Sequence, residues 1–199
     1  ASAAGLLRLT PITPSTIRIS FVKGVTGTIQ DTNWKAQADT AVTWSAKESR
    51  SEVQLLTDRI LIRMEKANGA VQFLSRDGKK LLAENPSEPR LLLDSQTWNF
   101  FAWDKNERLK SKGVLADDFM DLSTKARYIS FGQKKLRMPL VLSNKGYAIG
   151  VAAGSTVLFC NVRTYGQYIY TQGTGQIDYY FIYDENQERN IEQYRNLPV

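Results

Sequence analysis

Residues 138–183 constrain the fold of this chain more than any other stretch, because apolar and aromatic side chains alternate there with small or polar ones. Tyr147, Ile149 and Val151 occupy every second position, and a similar series closes the stretch at residues 177–183. A period of two, rich in β-branched and aromatic residues and interrupted by glycines, is typical of strands in an antiparallel sheet. The stretch therefore predicts a β-meander.

The last series of this meander carries two further predictions. Because successive side chains of a strand point to opposite faces, Tyr179 and Phe181 should share one face and Tyr180 should lie on the other. Asp178 lies inside the same series, where strands normally avoid aspartate. We expect its carboxylate either to be solvated on the outer face or to accept hydrogen bonds at a sheet boundary.

The first half of the chain has the same character. Residues 59–65 and 71–74 are strand candidates separated by Asn68-Gly69, which predicts a hairpin with a type I′ turn. Only residues 184–195 have a helical pattern, with an acidic start and an apolar stripe formed by Ile191 and Tyr194. The sequence predicts an all-β fold, a large antiparallel two-sheet β-sandwich with a short carboxy-terminal helix.

Composition excludes several classes of function. The chain of 199 residues suits one domain, and it has no histidine and a single cysteine, Cys160. These counts remove Ser-His-Asp and Cys-His catalysis, histidine zinc sites and disulfides, and Cys160 is expected to be a small buried hydrophobe. The net charge of +6 is spread through the chain without a nucleic-acid-binding motif, and no apolar run approaches the roughly 20 residues of a membrane span. Neither nucleic acid nor a membrane is expected as a partner.

Two patches resemble a known family. Pro139 leads a strand that continues into Ser-Asn-Lys-Gly-Tyr-Ala at residues 143–148, and residues 177–182 read Ile-Asp-Tyr-Tyr-Phe-Ile. These patches resemble the P-F-x-x-S-x-x-G-Y-G and L-D-Y-Y-F-I segments of the amino-terminal domain of family 31 glycoside hydrolases. The resemblance implies a galactose-mutarotase-like sandwich over residues 1–199, a single non-catalytic domain of an α-glycosidase. Its implied partners are the family's catalytic (β/α)8 barrel and an oligosaccharide or glycoside substrate.

The resemblance also implies that the catalytic carboxylates belong to the barrel, where the nucleophile lies in a W-x-D-M-N-E segment. Residues 103–107, Trp-Asp-Lys-Asn-Glu, are superficially similar. However, Trp103 and Asp104 are adjacent rather than separated by one residue, and no βα repeats surround them. No catalytic residue is therefore assigned to this chain, which by itself is not expected to hydrolyse glycosides.

Three residues are candidates for a weak substrate contact. Many family members place a substrate-reaching aspartate in a loop just before the proline-led strand, but this chain has no aspartate in residues 130–135. Gln133 is at best a weak substitute for it, and Phe131 lies in the same shortened loop. Trp98 is the first candidate, because it begins an aromatic strand after a polar run and an indole ring can stack on the apolar face of a sugar. The alternative is that Trp98 and Phe131 fill the core.

Other possibilities remain open from the sequence. An independent carbohydrate-binding sandwich without an attached enzyme is the main alternative, and a structural or adhesion sandwich that binds no sugar is another. Asp117, Asp118 and Asp121 lack the alternating spacing of a calcium loop, so they are expected to be solvated acids. No metal or cofactor is predicted, and the sequence does not distinguish a secreted or periplasmic location from a cytoplasmic one.

Overall fold

The computed structural model of the protein describes residues 5–24, 42–112, 119–130, 139–152, 156–173 and 175–197. Within these ranges the chain forms a succession of strands followed by one helix. The strands are β1 Gly5–Thr13, β2 Thr16–Lys23, β3 Trp44–Glu48, β4 Glu52–Thr57, β5 Ile60–Glu65, β6 Val71–Ser75, β7 Lys80–Ala83, β8 Arg90–Leu93, β9 Gln96–Phe100, β10 Leu109–Lys112, β11 Phe119–Asp121, β12 Ala126–Ser130, β13 Leu140–Ser143, β14 Tyr147–Val151, β15 Thr156–Val162, β16 Gly166–Gln172 and β17 Gln176–Tyr183. The helix, α1, is Gln187–Arg195.

The strands form three antiparallel sheets. A seven-stranded sheet has the order β1-β2-β17-β14-β13-β10-β11, and two five-stranded sheets have the orders β12-β15-β16-β9-β8 and β3-β4-β5-β6-β7. One continuous hydrophobic core contains residues from all three sheets. The predicted all-β sandwich is confirmed, but one of its two layers is divided into two sheets, which meet at a β-bridge between Glu84 and Phe101.

The predicted faces of β17 are confirmed. Tyr179 and Phe181 belong to the large core between the layers, and the Phe181 ring stacks on Phe73 with centroids 4.2 Å apart. Tyr180 belongs to a second, smaller cluster on the opposite face, which also contains Tyr194 of helix α1 and Leu197, two residues after the helix ends. Every residue of β17 is buried, so this strand lies in the interior on both faces.

Asp178 is neither solvated nor at a boundary. Its carboxylate is buried within the seven-stranded sheet, where Arg18 donates to it from Nε at 2.8 Å and from Nη2 at 2.6 Å. The Ser20 hydroxyl donates at 3.2 Å. The neighbouring strand β2 therefore supplies the charge and the donors that a buried carboxylate requires.

The hairpin between β5 and β6 is present, but the predicted type I′ turn is wrong. The connection spans residues 66–70, and only Gly69 has a positive φ, of 71°. Asn68 instead uses its side chain: Oδ1 accepts from the Ala70 amide at 2.8 Å and Nδ2 donates to Glu65 at 2.9 Å. These hydrogen bonds of the Asn68 side chain thus stabilise the turn, which a type I′ turn would form with a second residue at positive φ.

Replacing Phe181 with alanine should lower the free energy of unfolding by about 3–5 kcal/mol, because it removes a fully buried ring that stacks on Phe73. Chemical denaturation measures this loss. The matched control is Tyr165→Ala, since Tyr165 is 77% exposed and its removal should change stability by less than about 0.5 kcal/mol. Equal losses in the two variants would contradict the assigned face of β17.

Candidate functional site

Trp98 lies on the outer face of one five-stranded sheet, in the middle of β9 rather than at a loop. Its side chain is half-buried, and its ring centroid is 4.9 Å from that of Tyr170 on β16. The sequence placed Trp98 at the start of its strand or, as the alternative, in the core. Both placements are wrong, because the ring lies in mid-strand on the outer face. It is part of an exposed surface built from regular secondary structure.

Five aromatic side chains share this surface, which we call the aromatic face. The strand register places Trp98 opposite Tyr170 and Phe100 opposite Tyr168. Tyr128 lies in the same row as Trp98 and Tyr170, two strands beyond Tyr170. Phe100 and Tyr168 meet edge to face with centroids 5.8 Å apart, and Tyr128 is 56% exposed. The face consists of Trp98, Phe100, Tyr128, Tyr168 and Tyr170.

The aromatic face extends to β12, the last described strand before the other two sequence candidates along the chain. Two strands, β16 and β15, lie between β9 and β12, so the axes of β9 and β12 are about 14 Å apart at the usual strand spacing. Strand β12 ends at Ser130, two residues after Tyr128. Phe131 and Gln133 lie outside the described residues, so their roles stay predictions.

Asp104, the residue of the misleading catalytic pattern, is held in a salt-bridge cluster. The Lys145 ammonium contacts the Asp104 carboxylate and also lies 3.2 Å from Oε2 of Glu107. The hydrogen bond from Lys145 lowers the pKa of Asp104. A lowered pKa does not suit a general acid in glycoside hydrolysis, and the Lys145 ammonium is paired with the carboxylate that a nucleophile would use.

Glu107 is the buried centre of the same cluster. Its Oε1 accepts hydrogen bonds from the Ser143 hydroxyl at 2.6 Å and from the Tyr147 hydroxyl. Burial, followed by the charge of Glu107, raises the pKa of Tyr147 well above its ordinary value, so the phenol stays protonated and donates. Sequence reasoning missed this arrangement because Glu107 and its partners come from segments 36 or more positions apart.

Within the described ranges, no group of three or more acidic, cysteine or histidine side chains has the geometry of a metal site. Asp121 is exposed and accepts from the Ser123 amide at 3.0 Å, while Asp117 and Asp118 fall outside those ranges. No helix in the same part of the chain is long and apolar enough to cross a bilayer. Cys160 is buried, as predicted.

No family model matches this sequence, and a search of curated proteins finds no significant match. Solved structures do match the fold. A family 31 dextranase from Flavobacterium johnsoniae has a TM-score of 0.79 at 14% identity, covering 98% of this chain and 27% of that chain. A family 31 α-xylosidase from a soil metagenome has a TM-score of 0.78 at 16% identity, covering 99% of this chain and 32% of that chain.

A third structure gives the same result. The cycloalternan-forming enzyme from Listeria monocytogenes has a TM-score of 0.74 at 16% identity, and the match covers 96% of this chain and 19% of that chain. The chain thus spans a third or less of the length of these enzymes. At such low identity the similarity establishes the fold, and it confirms the predicted resemblance to a domain of family 31 glycoside hydrolases.

Replacing Lys145 with methionine should lower the free energy of unfolding at neutral pH by about 1.5–3 kcal/mol, because the buried Glu107 loses a charged donor. The pKa of Asp104 is below its usual value in the folded protein, so its ion pair contributes at neutral pH and the contribution is lost as the pH falls through that pKa. The difference between variant and wild type should therefore shrink in acid, as denaturant titrations at several pH values would show.

Lys66→Met is the control for this measurement. It removes a lysine that pairs with the exposed Glu48, so it should leave stability nearly unchanged at every pH. A Lys145→Met loss as small as that of Lys66→Met, or one that grows in acid, would contradict the role assigned to the Lys145 cluster.

Proposed function

We propose that residues 1–199 form one amino-terminal, non-catalytic accessory domain of a family 31 α-glycosidase. In this proposal the catalytic (β/α)8 barrel lies in another part of the enzyme and hydrolyses the O-glycosidic bond of an oligosaccharide or glycoside. The sandwich supports the barrel and contributes to the substrate entrance. The domain would serve carbohydrate metabolism without a metal or cofactor of its own.

One observation carries this proposal. The match to the family 31 enzymes covers 96–99% of this chain but only 19–32% of theirs. The chain therefore corresponds to one folded part of much larger glycosidases. A domain that recurs almost whole within such enzymes is best explained as a component of the same kind of enzyme.

The charges of the chain support a non-catalytic role. Hydrolysis with retention needs two carboxyl groups about 5 Å apart, one of them protonated and both facing the bond to be broken. Asp104 and Glu107 approach a common point, but the Lys145 ammonium occupies it. Among the described residues, the other buried carboxylates are also paired: Asp178 with Arg18, Glu84 with Arg90, and Asp184 with Arg59.

The aromatic face supports a contact with substrate. Aromatic rings desolvate the apolar C–H faces of sugars at little cost in conformational entropy. In this proposal a saccharide that enters the barrel near Ser130, the end of β12, continues across Tyr128 towards Tyr170 and Trp98. The same face is the one observation that favours the alternative, an independent carbohydrate-binding sandwich.

The purified chain should show no turnover of aryl α-glucoside, α-galactoside or α-xyloside substrates, because its described residues contain no pair of carboxylates prepared for this reaction. Release of the aryl group, followed by absorbance, measures this directly. Turnover that disappears in Asp104→Asn but persists in the exposed control Asp58→Asn would show that the cluster is catalytic and that the accessory role is wrong.

Neutral sugars should bind the isolated chain only at millimolar concentration or not at all, since the accessory proposal assigns most of the substrate contacts to the barrel. Calorimetry and tryptophan fluorescence with maltose, glucose and galactose test this. Any weak binding should be lost in Trp98→Ala and kept in Trp44→Ala, because Trp44 is 53% exposed on a different sheet. Micromolar affinity that depends on Trp98 would instead establish the independent carbohydrate-binding module.

A further inference from the structure

A concave surface separate from the aromatic face lies at the end of the sandwich where β12 begins. Strand β12 leaves this end at Ala126, which pairs with Cys160, and reaches the opposite end at Ser130, which pairs with Val157. The surface is a cleft of about 510 Å³, within the range typical of small-molecule sites. Three segments line it: residues 104–108, the turn at 123–124 and the β15–β16 hairpin at 161–167.

The wall of this cleft contains two amides in a fixed arrangement. Nε2 of Gln167 donates to Oδ1 of Asn161 at 2.7 Å and to the Trp103 carbonyl at 3.2 Å, which uses both of its hydrogens. In the described part of the chain, Oε1 of Gln167 and Nδ2 of Asn161 have no hydrogen-bond partner. A free acceptor beside a free donor matches a hydroxyl group, which can both give and receive a hydrogen bond.

The remaining charge of the cleft is positive. Lys105, Arg108 and Arg163 line it with exposed side chains, and none of them forms an ion pair with another described residue. The two acids of the lining, Asp104 and Glu107, are already bound by Lys145. The cleft, which we call the basic cleft, therefore has three cations available to a ligand.

We propose that the basic cleft binds an acidic saccharide, one that carries a carboxylate, sulfate or phosphate group. Arg108 and Arg163 approach from different segments, and a guanidinium can hold such an oxyanion through two parallel hydrogen bonds. The Asn161–Gln167 pair receives a sugar hydroxyl. Tyr165, 77% exposed, follows the lining residue Thr164 in the β15–β16 hairpin and offers a ring on which a sugar can stack.

The saccharide part of this inference rests on the proposed function, whereas the oxyanion part rests on the cleft alone. The site also differs from the aromatic face in position and chemistry. A neutral sugar would leave the three cations without a partner, so the cleft should discriminate between acidic and neutral sugars. This discrimination makes the two sites separable by experiment.

The test is calorimetric titration of the whole chain, at one low ionic strength, with glucuronate, glucose 6-phosphate, glucose and inorganic phosphate. Glucuronate and glucose 6-phosphate should each bind at least about tenfold more tightly than glucose, as charge-assisted hydrogen bonds predict. Arg108→Gln combined with Arg163→Gln should abolish this preference. Lys47→Gln combined with Arg50→Gln removes the same charge from the exposed β3–β4 region and should preserve it.

Three results would overturn the proposal. Equal affinity for glucuronate, glucose 6-phosphate and glucose would show that the cleft has no oxyanion site. Persistence of the preference in the Arg108/Arg163 variant would show that the acidic sugars bind elsewhere. If inorganic phosphate binds as tightly as glucose 6-phosphate, the sugar ring contributes nothing and the ligand is not a saccharide. None of these results bears on the accessory role, which predicts only weak binding of neutral sugars. Thermal unfolding of each variant shows that the fold is retained.

Discussion

Burial of β17 on both faces is the constraint on which the arrangement of the other layers depends. One face packs Tyr179 and Phe181 against the divided layer, and the other lies under helix α1. Because side chains alternate, a shift of one residue in the pairing with β2 would turn Asp178 into the aromatic core. In the observed register, the bidentate contact with Arg18 compensates the charge of Asp178, which favours this register over the shifted one.

The sequence predicted the features that local periodicity encodes. Alternation identified the strands of the meander and the opposite faces of Tyr179 and Tyr180, and two short patches indicated the family resemblance. Features that depend on pairing between distant segments could not be predicted in this way. Arg18 and Asp178 are 160 positions apart, and the division of one layer into two sheets follows from strand pairings that no local pattern specifies.

The candidate site shows the same limit. Trp98 was identified from its aromatic neighbours, but its half-buried place in a row with Tyr170 and Tyr128 follows only from the register of four strands. Similarly, Glu107 and Lys145 come from different segments and meet only in the folded chain. The first place presents aromatic side chains to solvent, and in the second the charges of Glu107 and Lys145 compensate each other.

If this chain acts as one domain of a larger α-glycosidase, as we propose, the native polypeptide should be much larger than the sandwich. Its mass and activity can be measured after isolation from its source with an antibody raised against the sandwich. We expect a single polypeptide well above 22.5 kDa that hydrolyses α-glycosides and contains a W-x-D-M-N-E segment in its peptide map. A native polypeptide of about 22.5 kDa without glycosidase activity would contradict it.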